Sequence, residues 1–129
     1  QMTDYQDVVA EVKSYFDDFA VKAHSFGIKD WILDPGIGFA KTIEQNYELI
    51  KRLEELKSVC LSNGNPPRIL VGLSRKSFIY KYLSISPEES LPATQVLHLA
   101  ALQNGADILR VHDVAEVVRT RAIYGLLDN

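Results

Sequence analysis

Three short apolar runs punctuate this chain, at Trp31-Ile32-Leu33, 68–73 and 108–111, and longer stretches with helical spacing separate them. Regular alternation of helix and strand leads to parallel strands joined by right-handed crossovers. The runs do not alternate apolar with polar residues, so the strands are expected to be buried on both faces. Before the first run, Val8, Val9, Val12, Phe16, Phe19, Ala20 and Ala23 form a helical stripe that Gly27 closes. Before the second, Leu49, Ile50, Leu53, Leu56, Val59 and Cys60 form another, with Thr42 and Gln45 spaced as a capping box. Asn63-Gly64-Asn65-Pro66-Pro67 then reads as a turn. Ser86-Pro87-Glu88-Glu89 reads as an N-cap with proline at the first helical position, opening a short helix that Pro92 interrupts. The main helix is expected over 93–104, ending at Gly105. Asp113 with Glu116 resembles a second capping box, opening a last helix through Val117, Val118, Ala122 and Leu126.

At 129 residues the chain is long enough for one ordinary domain. Three strands make a poor closed sheet, whereas a (β/α)8 barrel needs eight strands and typically ~250 residues. The pattern therefore fits an open doubly wound sheet or about half of a barrel, with unpaired edge strands. A chain that starts at Gln1 in polar sequence looks like the middle of a longer protein. A hydrophobic content of 47% and a charged content of 24% exclude disorder, and a net charge of -3 argues against general nucleic-acid binding. No apolar run is long enough to span a membrane. Cys60 is the only cysteine and no signal peptide is present, so a cytoplasmic, reducing location is expected.

Parallel α/β folds bind ligands at the C-terminal ends of their strands. Asp34-Pro35-Gly36-Ile37-Gly38-Phe39-Ala40-Lys41 follows the first strand, Gly72-Leu73-Ser74-Arg75-Lys76-Ser77 the second, and Arg110-Val111-His112-Asp113 the third. All three clusters fall on one rim. Alone, Asp34 reads first as a loop cap; the functional alternative is a carboxylate that accepts N–H groups of a flat heterocycle. Gly36 and Gly38 permit close backbone approach, and Phe39 is either a loop anchor or the wall of an aromatic pocket. Arg75 and Lys76 are adjacent and so point in different directions; a solvated pair is the ordinary reading, an anion or ring carbonyl the functional one. Ser77 would start a short helix carrying Phe78, Ile79, Tyr82 and Leu83, with free N–H groups at its start. Arg110 and His112, two apart on a strand, project to one side and suit pyrophosphate, or else pair with Asp113 or Asp107. Asp107 lies on the opposite rim. His24 and His98 sit on helices as structural or exposed residues, and no spacing fits zinc.

The segments "LDPGIGFAKT", "LVGLSRKSF" and "RVHDV", in this order, resemble dihydropteroate synthase over essentially the whole chain. The resemblance implies the C-terminal portion of a TIM (β/α)8 barrel, from helix five through strand eight and helix eight. It implies condensation of 6-hydroxymethyl-7,8-dihydropterin pyrophosphate with p-aminobenzoate in folate biosynthesis, with sulfonamides as inhibitors. Carried over, Asp34 would hold the pterin edge, Lys76 a ring heteroatom, and Gly72 the pocket floor. Arg110 would stack on the pterin and hold pyrophosphate with His112. Ser77 would face the p-aminobenzoate carboxylate and Phe39 would line its pocket. Lys76, Arg110 and His112 would be the catalytic set. The family's Mg2+ would take its ligands mainly from a missing N-terminal half, and the last helices would pack a homodimer. The isolated chain is expected to be inactive. Two rivals remain: a pterin-binding methyltransferase barrel, which has no pyrophosphate to hold, and a non-catalytic pterin-binding fragment.

Overall fold

A computed structural model describes residues 7–128; Gln1, on which the expectation of a longer protein rests, lies outside them. Helix α1 spans Val8–Ser25, strand β1 Ile32–Leu33, helix α2 Ile43–Lys51, strand β2 Arg68–Gly72 and helix α3 Ser77–Leu83. Helix α4 spans Leu91–Gln103, strand β3 Ile108–Arg110 and helix α5 Val114–Leu127. The strands lie in the order β1-β2-β3, both pairings parallel, with Leu33 beside Ile69 and Gly72 beside Arg110. Among the described residues β1 and β3 each pair on one side only, so the sheet has two open edges. The three strand ends therefore deliver their following loops to one rim, as the sequence implies.

The core lies where α1, α2 and α4 cover the sheet. Leu33, Ile37, Leu49, Leu53, Leu56, Ile69, Val71, Leu73, Ile79 and Ala101 are all buried there. Each such aliphatic side chain contributes about 1.5–3 kcal/mol on burial. Phe16 stacks on Trp31 at 6.1 Å and Phe19 meets the same indole edge-on at 4.9 Å, tying α1 to the start of β1. On the rim opposite the loops, Asp107 accepts the Ile69 N–H at 2.9 Å and pairs with Lys57, joining β2 to the turn before β3.

Several sequence expectations need correction. The second stripe is not one helix: α2 ends at Lys51 and a 3-10 segment, Leu53–Ser58, follows, leaving Cys60 exposed beyond it. Its apolar spacing survives the break because a 3-10 turn still buries Leu53 and Leu56. Pro92 does not interrupt a helix. A 3-10 turn, Glu88–Ser90, runs into α4, and Pro92 sits in the first turn of α4, where its missing N–H has no partner to lose. The cap read at Ser86 does form, because Ser86 and Glu89 bond reciprocally at 2.9 and 3.2 Å. β3 is only half-buried and exposes Arg110, because an edge strand at an open side of the sheet has no neighbour to cover it. It ends at Arg110, so His112 lies beyond the strand.

His98, on α4, is completely buried. Its Nδ1 lies 3.4 Å from Gln95 Oε1, an oxygen that also accepts the Thr120 hydroxyl at 2.8 Å, while Nε2 has no partner among the described residues. Burial pushes its pKa from 6.5 down to about 4, against a smaller opposing pull from Asp113. The folded state thus favours the neutral ring, while the unfolded chain takes up a proton at ordinary histidine pH. This contribution is fully present above pH 6.5 and is lost as pH falls toward 4. The loss should reach up to ~3 kcal/mol. Urea unfolding across that window should show a His98→Gln variant with a flatter pH dependence than the parent; equal slopes would remove His98 from the account.

Candidate functional site

The site is built from three loops. In the loop from β1 to α2, one Asp34 oxygen accepts the Gly36 N–H at 2.9 Å. Lys41 folds back over the same loop and donates to the Gly36 and Phe39 carbonyls at 2.8 and 3.2 Å. Its ammonium is destabilised by burial, which lowers its pKa; Asp34 pulls the other way. The loop hands over to α2 at Thr42, whose hydroxyl accepts the Gln45 N–H at 3.1 Å while Gln45 accepts the Thr42 N–H at 2.9 Å. This is the capping box expected from the spacing.

In the loop from β2 to α3, Arg75 and Lys76 diverge as their adjacency requires. Arg75 adopts φ 52°, its N–H donates to Thr94 Oγ1 at 3.4 Å, and its guanidinium grips Asp113 with two bonds of 2.7 and 2.9 Å. Lys76 swings to the other side. Its ammonium donates to the Ile37 carbonyl at 2.8 Å and stands 4.4 Å from the centroid of the Phe39 ring. Burial lowers the Lys76 pKa, neighbouring Arg110 lowers it further, and Asp34 opposes both. Ser77 begins α3, as expected, and its side chain is exposed.

From β3, Arg110 reaches back across the sheet to the second Asp34 oxygen at 3.7 Å. It pairs with neither Asp113 nor Asp107. The pairing is half-exposed on both sides, so it contributes at most ~1 kcal/mol and yields readily to a ligand. The guanidinium crosses directly over its strand neighbour Gly72, where an added Cβ would stand 2.8 Å from Cζ. Gly72 therefore acts here as the berth of Arg110. The His112 N–H donates to Ser74 Oγ at 3.4 Å, while its imidazole makes no hydrogen bond or ion pair among the described residues.

Asp34, Lys76, Phe39, Gly72 and Arg110 thus come together as a linked set, with His112 and Ser77 on the same rim. A cleft of about 500 Å³ opens between α1 and the β1–α2 loop; Asp34, Phe39 and Lys41 line it, but Lys76, Gly72 and Arg110 do not. The capping box expected at Asp113 and Glu116 does not form, because the Asp113 carboxylate is committed to Arg75. Sequence reasoning also passed over Lys41 and Asn46. The signal for Asn46 was available: asparagine inside a helix, four residues after the cap, is out of place unless its side chain is bonded elsewhere. Among the described residues, no three His, Cys, Asp or Glu side chains gather into a metal-binding group.

Residues 1–112 match the family described as pterin binding enzyme. The chain belongs to this family. It is 46% identical over 116 residues to the dihydropteroate synthase of Synechocystis, an alignment covering 88% of this chain and 38% of that relative. Its fold matches Burkholderia cenocepacia dihydropteroate synthase complexed with 7,8-dihydropteroate, with a TM-score of 0.87 at 31% identity, covering 96% of this chain and 45% of that one. It also matches a Yersinia pestis dihydropteroate synthase in a sulfonamide drug complex, with a TM-score of 0.86 at 31% identity, covering 96% of this chain and 44% of that one. The chain thus spans less than half the length of these relatives. Its open parallel sheet is a portion of a TIM barrel.

Gly72 gives a direct test. A methyl group at Gly72 would displace the Arg110 guanidinium, a flexible and exposed group, with little effect on the core. Gly72→Ala should change stability by less than ~1 kcal/mol. On the expectation that Arg110 holds pyrophosphate, it should weaken pyrophosphate binding roughly tenfold, the loss of one charge-assisted bond. Calorimetry with pyrophosphate and urea unfolding check the two halves; unchanged affinity would detach Gly72 from Arg110.

Proposed function

We propose that this chain supplies the pterin and pyrophosphate side of a dihydropteroate synthase active site. The observation that carries the reading is the linked set Asp34, Lys76 and Arg110, which sets one carboxylate and two cations around backbone kept bare by Gly38 and Gly72. A pterin needs an acceptor for its ring N–H groups and a donor for its ring heteroatoms; a pyrophosphate leaving group needs cations. Asp34 would release Arg110 and take the ring edge, and Lys76 would donate to a ring heteroatom. Arg110 would stack on the ring and, with His112, hold the pyrophosphate. Ser77 would meet the p-aminobenzoate carboxylate, with Phe39 against its ring. Sulfonamides, which mimic that substrate, would compete at Ser77 and Phe39.

In this reaction the exocyclic carbon–oxygen bond breaks and its electron pair leaves with pyrophosphate. The amine nitrogen of p-aminobenzoate then bonds to the pterin-stabilised cation and loses a proton. Cations placed where negative charge accumulates lower that barrier, and no protein nucleophile is required. The metal that the family implies would supply charge neutralisation on pyrophosphate, with ligands from outside this segment. The exposed apolar residues of α4 and α5, among them Val96, Val118, Ile123 and Leu126, support self-association of the intact protein through these helices. A cytoplasmic location fits a biosynthetic role, and no helix among the described residues is long and apolar enough to cross a membrane.

The shortness of the chain relative to its kin favours one qualification: taken by itself it binds without turning over. Calorimetry should register pterin pyrophosphate in preference to methyl-tetrahydrofolate, and a steady-state assay of the 129-residue chain should give little or no dihydropteroate. Turnover at the level of an intact synthase would overturn that qualification, and preference for methyl-tetrahydrofolate would move the chain to the methyltransferase reading. In an intact protein carrying this segment, Lys76→Ala should lower kcat/KM by ~100-fold or more.

A further inference from the structure

We propose that Asn46 is a positioning residue for Lys76, acting through a single peptide unit of the β1–α2 loop. Asn46 lies on α2 and is 1% exposed. Its side-chain Nδ2 donates to the Thr42 carbonyl at 3.0 Å, which leaves Oδ1 turned to the loop, where it accepts the Gly38 N–H at 2.7 Å. That N–H belongs to the Ile37–Gly38 peptide. The carbonyl at the other end of the same peptide is the one that accepts the Lys76 ammonium at 2.8 Å. Holding one end of a planar unit fixes the direction of the other.

The restraint matters because of the residue it holds. Gly38 has φ +93° and an added Cβ there would stand 2.6 Å from the Lys76 side chain. Glycine is what allows the lysine to lie across the loop, yet glycine also leaves the peptide before it free to rotate. Asn46 removes that freedom without adding bulk beside Lys76. Aspartate would set a carboxylate against the Thr42 carbonyl, and leucine would leave the Gly38 N–H without its acceptor. Asparagine alone among residues of this size offers a donor and an acceptor in the required directions. The Phe39 ring, next along the loop, shares the same anchorage beneath the ammonium.

The test compares Asn46→Leu and Asn46→Ser with Leu49→Ala, a core truncation on the same helix that leaves the loop bonds intact. Serine can still bond the Thr42 carbonyl but cannot reach Gly38, so one loop-specific variant should fold even if leucine does not. Exchange of the Gly38 amide, read by NMR, should quicken roughly tenfold in both Asn46 variants, equivalent to the loss of one net hydrogen bond. Acylation of Lys76, read by mass spectrometry, should rise several-fold in both, with Lys51 as an unchanged internal reference. Leu49→Ala should lower the unfolding midpoint while leaving Lys76 labelling unchanged. Unaltered Lys76 labelling in a folded Asn46 variant, or an equal rise in Leu49→Ala, would overturn the proposal. A consequence for turnover rests on the synthase reading: kcat in an intact protein should fall with Asn46→Ser. Labelling that shifts without an effect on turnover would separate the placement of Lys76 from the rate and leave the positioning role standing, whereas an intact parent that makes no dihydropteroate would sink the synthase reading.

Discussion

Two parallel ladders hold the chain together, Ile32 and Leu33 against Arg68 and Ile69 on one side and 70–72 against 108–110 on the other. Because both run in the same direction, every strand ends at the same rim. Everything chemical about the molecule follows from that. Had either pairing been antiparallel, Asp34, Lys76 and Arg110 would have been distributed over two ends of the sheet. Parallel pairing also requires crossover helices, and these supply the apolar faces that bury Ile69 and Val71 completely.

The rim is polar but not loosely solvated. Three of its cations are each held by a partner from a different loop: Lys76 by a carbonyl of the first loop, Arg75 by Asp113 of the third, and Arg110 by Asp34 of the first. The bonds differ in strength in a way that suits a binding site. The Arg75–Asp113 grip is bidentate, with Asp113 largely buried, so it sets geometry. The Arg110–Asp34 contact is long and half-exposed, so both groups remain available to a ligand. Two neighbouring cations, Lys41 and Lys76, have lowered pKa values because burial strips them of water. An anionic or carbonyl-bearing ligand would restore the solvation that these ammonium groups lack.

Much of this was legible in the residues. Thr42 and Gln45 announced the start of α2, the adjacency of Arg75 and Lys76 announced their divergence, and "DPGIGF" announced a loop that brings backbone close to something. The errors share one cause. Capping motifs and helical stripes are local patterns, and the same side chain can be claimed from far away in sequence. Asp113 has the position and spacing of a cap, yet a guanidinium 38 residues earlier holds it. Leu53 and Leu56 keep a helical rhythm, yet the chain tightens into 3-10 turns to fit under α1. β3 reads as a buried strand from its apolar run, yet it lies at an open edge.

By itself, then, the sequence determined the order of elements, the parallel sense of the sheet and the three polar clusters at its strand ends. Those features depend on periodicity, turn chemistry and the handedness of crossovers, all of which act over a few residues. Only the tertiary structure decided which partner each charge takes, that Gly72 serves as the resting place of Arg110, and that one buried asparagine governs the peptide beneath Lys76. Those outcomes depend on register between strands and on the directions of individual bonds across loops, which no local pattern encodes.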